Sequence, residues 1–367
     1  MIRNRKRIVV AMSGGVDSSL AAYVLLQEGY EVIGVTMRVW GSQDHEPAGL
    51  HASGCCGVAG VEDARRVAQR LGIPFYVVNL ERDFDEQVVD YFCEEYLRGR
   101  TPNPCIVCNE KLKFGRLWEK ARSLEAQWIA AGHYARVEYD EARRRYLLRK
   151  GVDTKKDQSY VLFSLSQDQL SHIRFPLGKL HKDRVREIAR RLGLKVSDKA
   201  DSQEICFVLG RNYRPFLQKR LGERIESGPI VDRQGRVLGT HKGISSFTIG
   251  QRRGLGIPAG HPLYVLDIDR VSNRVIVGSE KETFQARCAA SQVNWISVKS
   301  LTVPQKVLAK IRYNHPGAEA VVDPVAMDRV VVRFQTPQKS ITPGQAVVFY
   351  REDQVLGGGW IEREGSG

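Results

Sequence analysis

Short apolar runs alternate with stretches of helical periodicity over the first part of the chain, residues 1–212. Residues 8–12 form an apolar run with two adjacent valines, which is typical of a buried parallel strand. Further strands are predicted at 31–39, Phe75–Asn79 and Trp128–Ala131, and helices at 16–27, 61–71, 84–97 and 184–192. Strands that alternate with helices in this way predict an α/β domain with a parallel sheet.

The pattern changes from residue 213 onward. Residues 214–284 contain short strands separated by Gly and Pro, and they predict a small central domain at 213–284. Residues 286–361 alternate apolar and polar positions over six or so short strands, with turns at Pro316-Gly317 and Pro343-Gly344. This pattern predicts a C-terminal β-barrel over 285–367, so the chain is expected to hold three domains.

A glycine-containing loop joins the first strand to the first helix, with the sequence Ser-Gly-Gly-Val-Asp-Ser at residues 13–18. Gly14 and Gly15 can adopt positive φ, so successive backbone N–H groups can form a nest for anionic oxygens. Serine hydroxyls and the N-terminus of the following helix favour the same ligand. The loop is therefore predicted to bind phosphate, although a tight turn would also explain two glycines. It lacks the Gly-Lys-Ser/Thr ending of a Walker A loop.

A second informative stretch, residues 99–114, contains Pro102, Pro104 and two cysteines. The prolines predict an extended loop, and a helix is predicted to begin at Cys108. A thiol near a helix N-terminus and close to lysines should have a depressed pKa, which makes Cys108 a candidate nucleophile. The spacing of Cys105 and Cys108 also suits half of a metal or iron–sulfur site.

Composition indicates a polyanionic partner. The 367 residues carry a formal net charge of +14, and basic side chains displace counterions from a phosphate backbone, although a basic soluble enzyme would also explain the excess. No apolar stretch is long enough to span a bilayer, and the basic residues 1–6 precede too short an apolar run for a signal peptide. A cytoplasmic protein without membrane contact is expected. Its seven cysteines then lie in a reducing compartment, and the adjacent pair Cys55-Cys56 is interpreted as structural.

Further motifs follow in the same order as the predicted elements. They are Ala-Gly-His-Tyr at 131–134, Lys-Asp-Gln-Ser-Tyr at 156–160, Asp-Ser-Gln-Glu-Ile-Cys-Phe at 201–207 and Phe-Thr-Ile-Gly-Gln-Arg-Arg-Gly-Leu-Gly at 247–256. With the loop at 13–18, the Pro-Asn-Pro stretch at 102–104, Ile-Arg-Tyr at 311–313 and Pro-Gly-Gln-Ala at 343–346, they resemble the bacterial tRNA-specific 2-thiouridylase family (MnmA). The loop resembles the PP-loop of the ATP pyrophosphatase superfamily, which implies an adenine nucleotide hydrolase-like fold for residues 1–212.

The resemblance implies a role for individual residues. ATP would be bound by Ala11, Met12, Ser13, Gly14, Gly15, Val16, Asp17, Ser18, Met37 and Gly132. The target base would be surrounded by Asn103, Pro104 and Cys105. Contacts to tRNA would come from His133, Lys156, Asp157, Gln158, Arg312, Tyr313 and Gln345.

The implied reaction is the 2-thiolation of the wobble uridine of tRNA. ATP would adenylate uracil O2 and release pyrophosphate, with Mg²⁺ expected at Asp17. Cys206 would carry the incoming sulfur as a persulfide, with Cys108 as the nucleophilic partner, and a disulfide between them would remain. The sulfur would come from a cysteine desulfurase or a sulfur-relay protein. A monomer is expected, since nothing in the sequence indicates an obligate dimer.

One position departs from the family pattern, because aspartate is common where this chain has Cys105. Cys105, Cys108 and Cys206 could instead be ligands of a [4Fe-4S] cluster, which leaves two routes for sulfur transfer. Two other functions are also considered. Another ATP pyrophosphatase acting on a small molecule would explain the loop but not the cysteines, and a non-catalytic RNA-binding protein with a structural metal would not explain the loop.

Overall fold

A computed structural model describes residues 6–39, 58–197, 199, 205–208, 210 and 212–363. Cys55, Cys56 and residues 201–204 lie outside the described residues. The helices are α1 Val16–Gln27, α2 Val58–Leu71, α3 Glu81–Phe84, α4 Asp90–Leu97, α5 Pro104–Val107, α6 Leu117–Ser123, α7 Gln167–His172, α8 Lys182–Arg191 and α9 Arg214–Leu221. Two π-helical segments, Asp85–Val89 and Cys108–Arg116, connect α3 to α4 and α5 to α6.

The strands of the α/β part are β1 Arg7–Ala11, β2 Glu31–Arg38, β3 Phe75–Asn79, β4 Trp128–Ala131, β5 Ala135–Asp140, β6 Arg145–Lys150 and β7 Ile173–Arg174. Those of the remainder are β8 Gly228–Val231, β9 Val237–His241, β10 Tyr264–Asp269, β11 Arg274–Gly278, β12 Phe284–Trp295, β13 Gln305–Lys310, β14 Ala318–Ala326, β15 Arg329–Lys339, β16 Ala346–Arg351 and β17 Gln354–Ile361. No helix in the described ranges is long and apolar enough to cross a bilayer.

The chain divides into two compact units. The first contains residues 1–88, 105–209 and 353–355, and the second contains 89–104, 210–352 and 356–367. The chain therefore passes between units at residues 88 and 104, inside the region that was predicted as a single domain. The domain boundaries 212 and 284 stay predictions.

A parallel sheet forms the centre of the first unit, with the strand order β3-β2-β1-β4-β7. β1 lies in its middle, with Val9 beside Ile33 of β2 and Val10 beside Ala130 of β4. Its three central residues are fully buried, and Ile8 and Val10 pack in one cluster with residues of α1, α2 and α8. The predicted parallel α/β architecture is confirmed, and the carboxyl ends of β1 and β4 lie side by side.

The described residues of the second unit form antiparallel and mixed sheets besides its helices. β8 to β11 form a four-stranded sheet in the order β10-β11-β8-β9. β12 pairs with both β15 and β17, so strands β12 to β17 close into a barrel around a valine-rich core. The predicted barrel is confirmed, with a turn at residues 343–344 as expected, whereas the other turn lies at residues 313–314, just before the predicted Pro316-Gly317.

Two local predictions were wrong. The helix expected to begin at Cys108 begins at Pro104, because proline is favoured in the first turn of a helix, where its missing N–H costs nothing. Residues 214–221 form α9 rather than a strand, with Pro215 in its first turn and the buried Leu217 and Leu221 one turn apart. Each of these two helices has a proline in its first turn.

Candidate functional site

The predicted phosphate loop connects the end of β1 to α1, at the carboxyl edge of the sheet. Gly14 adopts φ +68°, and a Cβ at this position would overlap the carbonyl oxygen of Gly60 in α2. Gly15 is the N-cap of α1 and provides no side-chain acceptor for the helix. The first amides of α1 therefore lack a capping side chain, and a helix end of this kind is suited to bind an anion.

The serine hydroxyls of the loop bond within the loop itself. Ser18 Oγ accepts a hydrogen bond from the Ser13 amide at 3.1 Å and donates to the Gly15 carbonyl oxygen at 3.1 Å. Ser19 Oγ donates to the same carbonyl oxygen at 2.8 Å. In the structure these hydroxyls fix the shape of the loop, so backbone N–H groups are the donors best placed for phosphate oxygens.

Asp17, in the first turn of α1, forms an ion pair with Lys182 at the start of α8. The Lys182 Nζ atom lies 2.8 and 2.7 Å from the two carboxylate oxygens, and the Tyr134 hydroxyl donates to one of them at 2.7 Å. The Lys182 side chain is only 7% exposed, whereas that of Asp17 is 30% exposed. A buried cation is thus held at the loop, although sequence analysis did not identify Lys182.

This ion pair competes with the role expected for Asp17 as a magnesium ligand, which stays a prediction. Mg²⁺ requires carboxylate oxygens with free lone pairs in octahedral geometry. Both oxygens of Asp17 already accept hydrogen bonds from Lys182, and one also accepts from Tyr134. The local charge that would otherwise attract a cation is neutralised by Lys182.

Two other residues predicted to bind ATP also lie at the carboxyl edge of the sheet. Gly132 follows β4, and a Cβ there would lie 2.6 Å from the backbone carbon of Asp17 and 2.7 Å from the Ser18 nitrogen. Met37 lies in β2 beside Val78 of β3 and is buried. Gly132 thus allows β4 and the first turn of α1 to approach closely, which brings its own backbone next to the loop.

The two cysteines predicted to transfer sulfur lie in segments that both pack against α3. Arg116, in the π-helical segment that begins with Cys108, donates to Asp83 at 2.7 Å. Phe207, next to Cys206, packs edge-on against Phe84 with 5.7 Å between ring centroids. Cys108 and Cys206 are both half-buried, whereas Cys105 is exposed.

The [4Fe-4S] alternative requires three ligands close together. Among the described residues, no three His, Cys, Asp or Glu side chains are grouped so that they could hold a metal ion. Cys105, Cys108 and Cys206 are all described, so their arrangement does not favour a cluster. Cys108 does not lie at a helix N-terminus, since that helix begins one turn earlier, at Pro104, and the reactivity predicted for this thiol stays a prediction.

His133 is enclosed rather than presented to solvent. It is 7% exposed and lies between the rings of Phe114 and Phe175, at centroid distances of 5.8 and 5.5 Å. Burial, and secondarily the Lys113 ammonium, hold the pKa of His133 well below its usual value. Its Nδ1 atom has no hydrogen-bond partner among the described residues. His133 is a neutral imidazole, and its predicted tRNA contact stays a prediction.

The loop at 156–158 is fixed by its own polar side chains. Asp157 accepts hydrogen bonds from the backbone N–H groups of Gly151 and Ser159, both at 3.1 Å. Gln158 bonds the backbone of Tyr134 in both directions, each at 3.0 Å. Asp157 and Gln158 therefore stabilise the loop, while Lys156 is half-buried on it.

In the second unit, Gln345 lies at a turn of the barrel and binds the segment that leads to Asn103 and Pro104. Its Nε2 atom donates to the carbonyl oxygens of Thr101 and Pro102 at 2.9 and 3.2 Å. Asn103 is half-buried and Pro104 is buried. Gln345 therefore positions the chain next to the residues predicted to contact the target base.

Two other residues of the barrel were predicted to contact tRNA. Arg312 donates to the Lys339 carbonyl oxygen at 3.1 Å, and Tyr313 is 37% exposed. Their tRNA contacts stay predictions.

We expect Gly14→Ala to disrupt the loop and Gly15→Ala to be tolerated. At Gly14 both the positive φ and the overlap with the Gly60 oxygen oppose a Cβ, so a loss of about 1–3 kcal/mol in the free energy of unfolding is expected. At Gly15 a Cβ would meet only Ser13 Oγ, at 3.6 Å, and φ is −99°. Thermal unfolding and ATP-binding measurements on the two variants check this. Equal losses in both would contradict it.

Acidification should destabilise the fold partly through His133. Its pKa is lowered in the folded state, so the unfolded chain binds the proton more tightly. The free energy of unfolding is therefore unaffected by this group above the unfolded pKa of about 6.5. It decreases as the pH falls below that value, by up to about 1.4 kcal/mol per pH unit. His133→Gln should lose less stability than wild type between about pH 7.5 and 5.5. His315→Gln, at a buried histidine of the barrel whose pKa is also lowered by burial, is the comparison, and no difference from wild type in His133→Gln would contradict the prediction.

The chain is similar to a set of characterised proteins over nearly its whole length. Residues 6–210 match the family model described as "tRNA methyl transferase HUP domain", residues 214–279 a "tRNA methyl transferase PRC-barrel domain" and residues 285–361 an "Aminomethyltransferase beta-barrel domain". A tRNA-specific 2-thiouridylase MnmA 2 of Caldanaerobacter subterraneus subsp. tengcongensis is 53% identical over 363 residues, 99% of this chain and 100% of that protein. The tRNA-specific 2-thiouridylase MnmA of Clostridioides difficile is 49% identical, over 98% of both chains. That of Symbiobacterium thermophilum is 51% identical, over 98% of this chain and 92% of its own.

Proposed function

The chain belongs to the MnmA family of tRNA-specific 2-thiouridylases, and on this premise we propose that it catalyses the ATP-dependent 2-thiolation of uridine 34 of tRNA. It is a tRNA-uridine sulfurtransferase of the PP-loop class. The observation that carries the proposal is that one compact unit holds both the phosphate loop and the two cysteine segments packed on α3.

ATP serves to convert a poor leaving group into a good one. Uracil C2 is a weak electrophile whose oxygen does not leave, so uracil O2 first attacks the α-phosphorus of ATP and displaces pyrophosphate. The residues proposed to bind ATP are Ala11, Met12, Ser13, Gly14, Gly15, Val16, Asp17, Ser18, Met37 and Gly132. Amides at the start of α1 would bind phosphate oxygens, and we add Lys182 as the cation that stabilises charge on the departing pyrophosphate.

Sulfur then replaces AMP at C2. A persulfide on Cys206 delivers its outer sulfur as hydrosulfide when the Cys108 thiolate attacks the inner sulfur of Cys206. Hydrosulfide adds to C2 and expels AMP, which carries away the former O2. The products are 2-thiouridine, AMP and a Cys108–Cys206 disulfide, which needs two electrons to restore both thiols.

Recognition of tRNA is assigned to residues of both units. Asn103, Pro104 and Cys105 would surround the target base, and His133, Lys156, Asp157, Gln158, Arg312, Tyr313 and Gln345 would contact or position the tRNA. The formal net charge of +14 favours a polyanionic substrate of this kind. Because Gln345 bonds the segment before Asn103, its contribution is to position that segment.

The remaining requirements are proposed from the chemistry. The sulfur comes from a cysteine desulfurase or a sulfur-relay protein. The enzyme acts in the cytoplasm and is a monomer. No step is assigned to Mg²⁺, since Asp17 is paired with Lys182. The cluster route is not favoured by the grouping of the described ligands.

The test is reconstitution. Unmodified tRNA, ATP, cysteine and a cysteine desulfurase are incubated with protein purified anaerobically, with and without an iron chelator, and 2-thiouridine and pyrophosphate are measured. We expect one pyrophosphate and one AMP per 2-thiouridine, and no product on a matched tRNA that carries cytidine at position 34. Pyrophosphate release without tRNA would indicate a small-molecule substrate, and loss of product on chelation would indicate the cluster route.

A further inference from the structure

Cys105 and Cys108 lie one helical turn apart on the same face of a helix. Cys105 is the second residue of α5, and Cys108 begins the π-helical segment that continues it. Residues three apart in a helix have Cβ atoms about 5–6 Å apart, whereas a disulfide needs about 3.5–4.5 Å, so the helix turn that holds Cys105 and Cys108 must shift by about 1–2 Å for the two to be joined. The two residues between them, Ile106 and Val107, are buried, so the cysteines lie on the more accessible side.

The three cysteines of the proposed site differ in solvent exposure. Cys105 is exposed, whereas Cys108 and Cys206 are half-buried. A disulfide between Cys108 and Cys206 would therefore be less accessible to an external reductant than one that includes Cys105. Thiol–disulfide exchange depends on access as well as on thiolate character.

We propose that Cys105 is the resolving thiol that regenerates Cys206 after each sulfur transfer, an inference that rests on the proposed function. The Cys105 thiolate attacks Cys108 Sγ in the Cys108–Cys206 disulfide and expels the Cys206 thiolate. The Cys105–Cys108 disulfide forms as the Cys108–Cys206 disulfide breaks, so no net electrons are exchanged in this step. An external dithiol protein of the thioredoxin class then supplies two electrons and reduces the exposed disulfide.

This relay gives a function to the cysteine that departs from the family pattern. An aspartate at residue 105 cannot take part in thiol exchange, so a chain with aspartate there must have Cys108–Cys206 reduced directly. In this chain Cys206 is released immediately and can accept the next persulfide sulfur while the surface disulfide awaits its reductant.

The experiment is a single turnover on anaerobic, persulfidated protein with tRNA and ATP, followed by alkylation and mass-spectrometric mapping of disulfides. Wild type should contain mainly the Cys105–Cys108 disulfide and an alkylated Cys206, whereas Cys105→Asp should retain Cys108–Cys206. With a thioredoxin-class reductant, the ratio of the later turnover rate to the first should fall at least about tenfold in Cys105→Asp. Cys93→Ala, at a buried cysteine of α4, is the matched control and should keep the wild-type ratio.

Two results would overturn the relay. The first is a wild-type protein that contains only Cys108–Cys206 after the turnover, and the second is a Cys105→Asp variant with the wild-type ratio. Either result with normal 2-thiouridine in the first turnover removes the relay and leaves the proposed function intact. Absence of 2-thiouridine in the first turnover, or iron bound by the three cysteines and required for it, removes the persulfide mechanism and the relay together.

Discussion

Cys206→Ser is expected to abolish 2-thiouridine formation while tRNA-dependent pyrophosphate release continues. The serine hydroxyl cannot carry a sulfane sulfur, so the second half of the reaction loses its donor, and the rate should fall by about a thousandfold or more. Adenylation of uracil O2 uses the phosphate loop and needs no thiol. Pyrophosphate release and nucleoside analysis on the same reaction mixture measure the two halves separately.

Cys288→Ala is the matched control for this prediction. Cys288 lies in the barrel core, is buried and has no part in the proposed chemistry. A buried cysteine behaves as a small hydrophobic residue, so its replacement should keep thiolation within about twofold of wild type. If Cys206→Ser forms 2-thiouridine at a rate close to that of the control, Cys206 does not carry the sulfur.

Lys182→Met should impair both stability and pyrophosphate release, and a second substitution should separate the two effects. Removing Lys182 leaves the Asp17 carboxylate without its cation. The loss should be below the roughly 3–5 kcal/mol expected for a fully buried pair, because the Asp17 side chain is 30% exposed. Pyrophosphate release should fall by about a hundredfold or more, since a cation in a shielded site stabilises developing charge strongly.

The double variant Lys182→Met/Asp17→Asn decides what Lys182 does. It should regain most of the stability, because no unpaired charge remains, but it should not regain pyrophosphate release. Thermal unfolding and pyrophosphate release in the two single variants and the double variant form a double-mutant cycle. Lys179→Met, at an exposed lysine shortly before α8, controls for the loss of one positive charge. Recovery of pyrophosphate release in the double variant would mean that Lys182 only neutralises Asp17.

The sheet and the phosphate loop could be predicted from local sequence alone. β3 and β4 were predicted at their observed bounds, and β1 and β2 to within one residue at each end. Continuous apolar runs such as that of β2, where six successive residues are buried, leave little choice of structure. The loop was identifiable because a strand, two glycines and a helix start follow each other within a few residues.

The site's electrostatics could not be predicted in this way. Lys182 lies at the polar start of an amphipathic helix, where a lysine is usually solvated, and its partner Asp17 is 165 residues away in sequence. The enclosure of His133 depends on Phe114 and Phe175, which belong to other segments of the chain. Such contacts depend on tertiary packing, and no local pattern indicates them.

The helix that carries Cys105 and Cys108 shows how one local signal can mislead. Two prolines within three residues suggested an extended loop, but Pro104 begins a helix. This difference moves the helix start from Cys108 to Pro104 and places both cysteines on one helical face. With that placement, Cys105 becomes a candidate for disulfide exchange with Cys108.

The central claim is that ATP activates uracil O2 as an adenylate, and the fate of that oxygen tests it most directly. A tRNA with ¹⁸O at the C2 oxygen of uridine 34 is converted by the complete system, and the nucleotide products are analysed by mass spectrometry. AMP should contain one ¹⁸O atom for each 2-thiouridine formed. Unlabelled AMP, or ¹⁸O in inorganic phosphate or water, would contradict it.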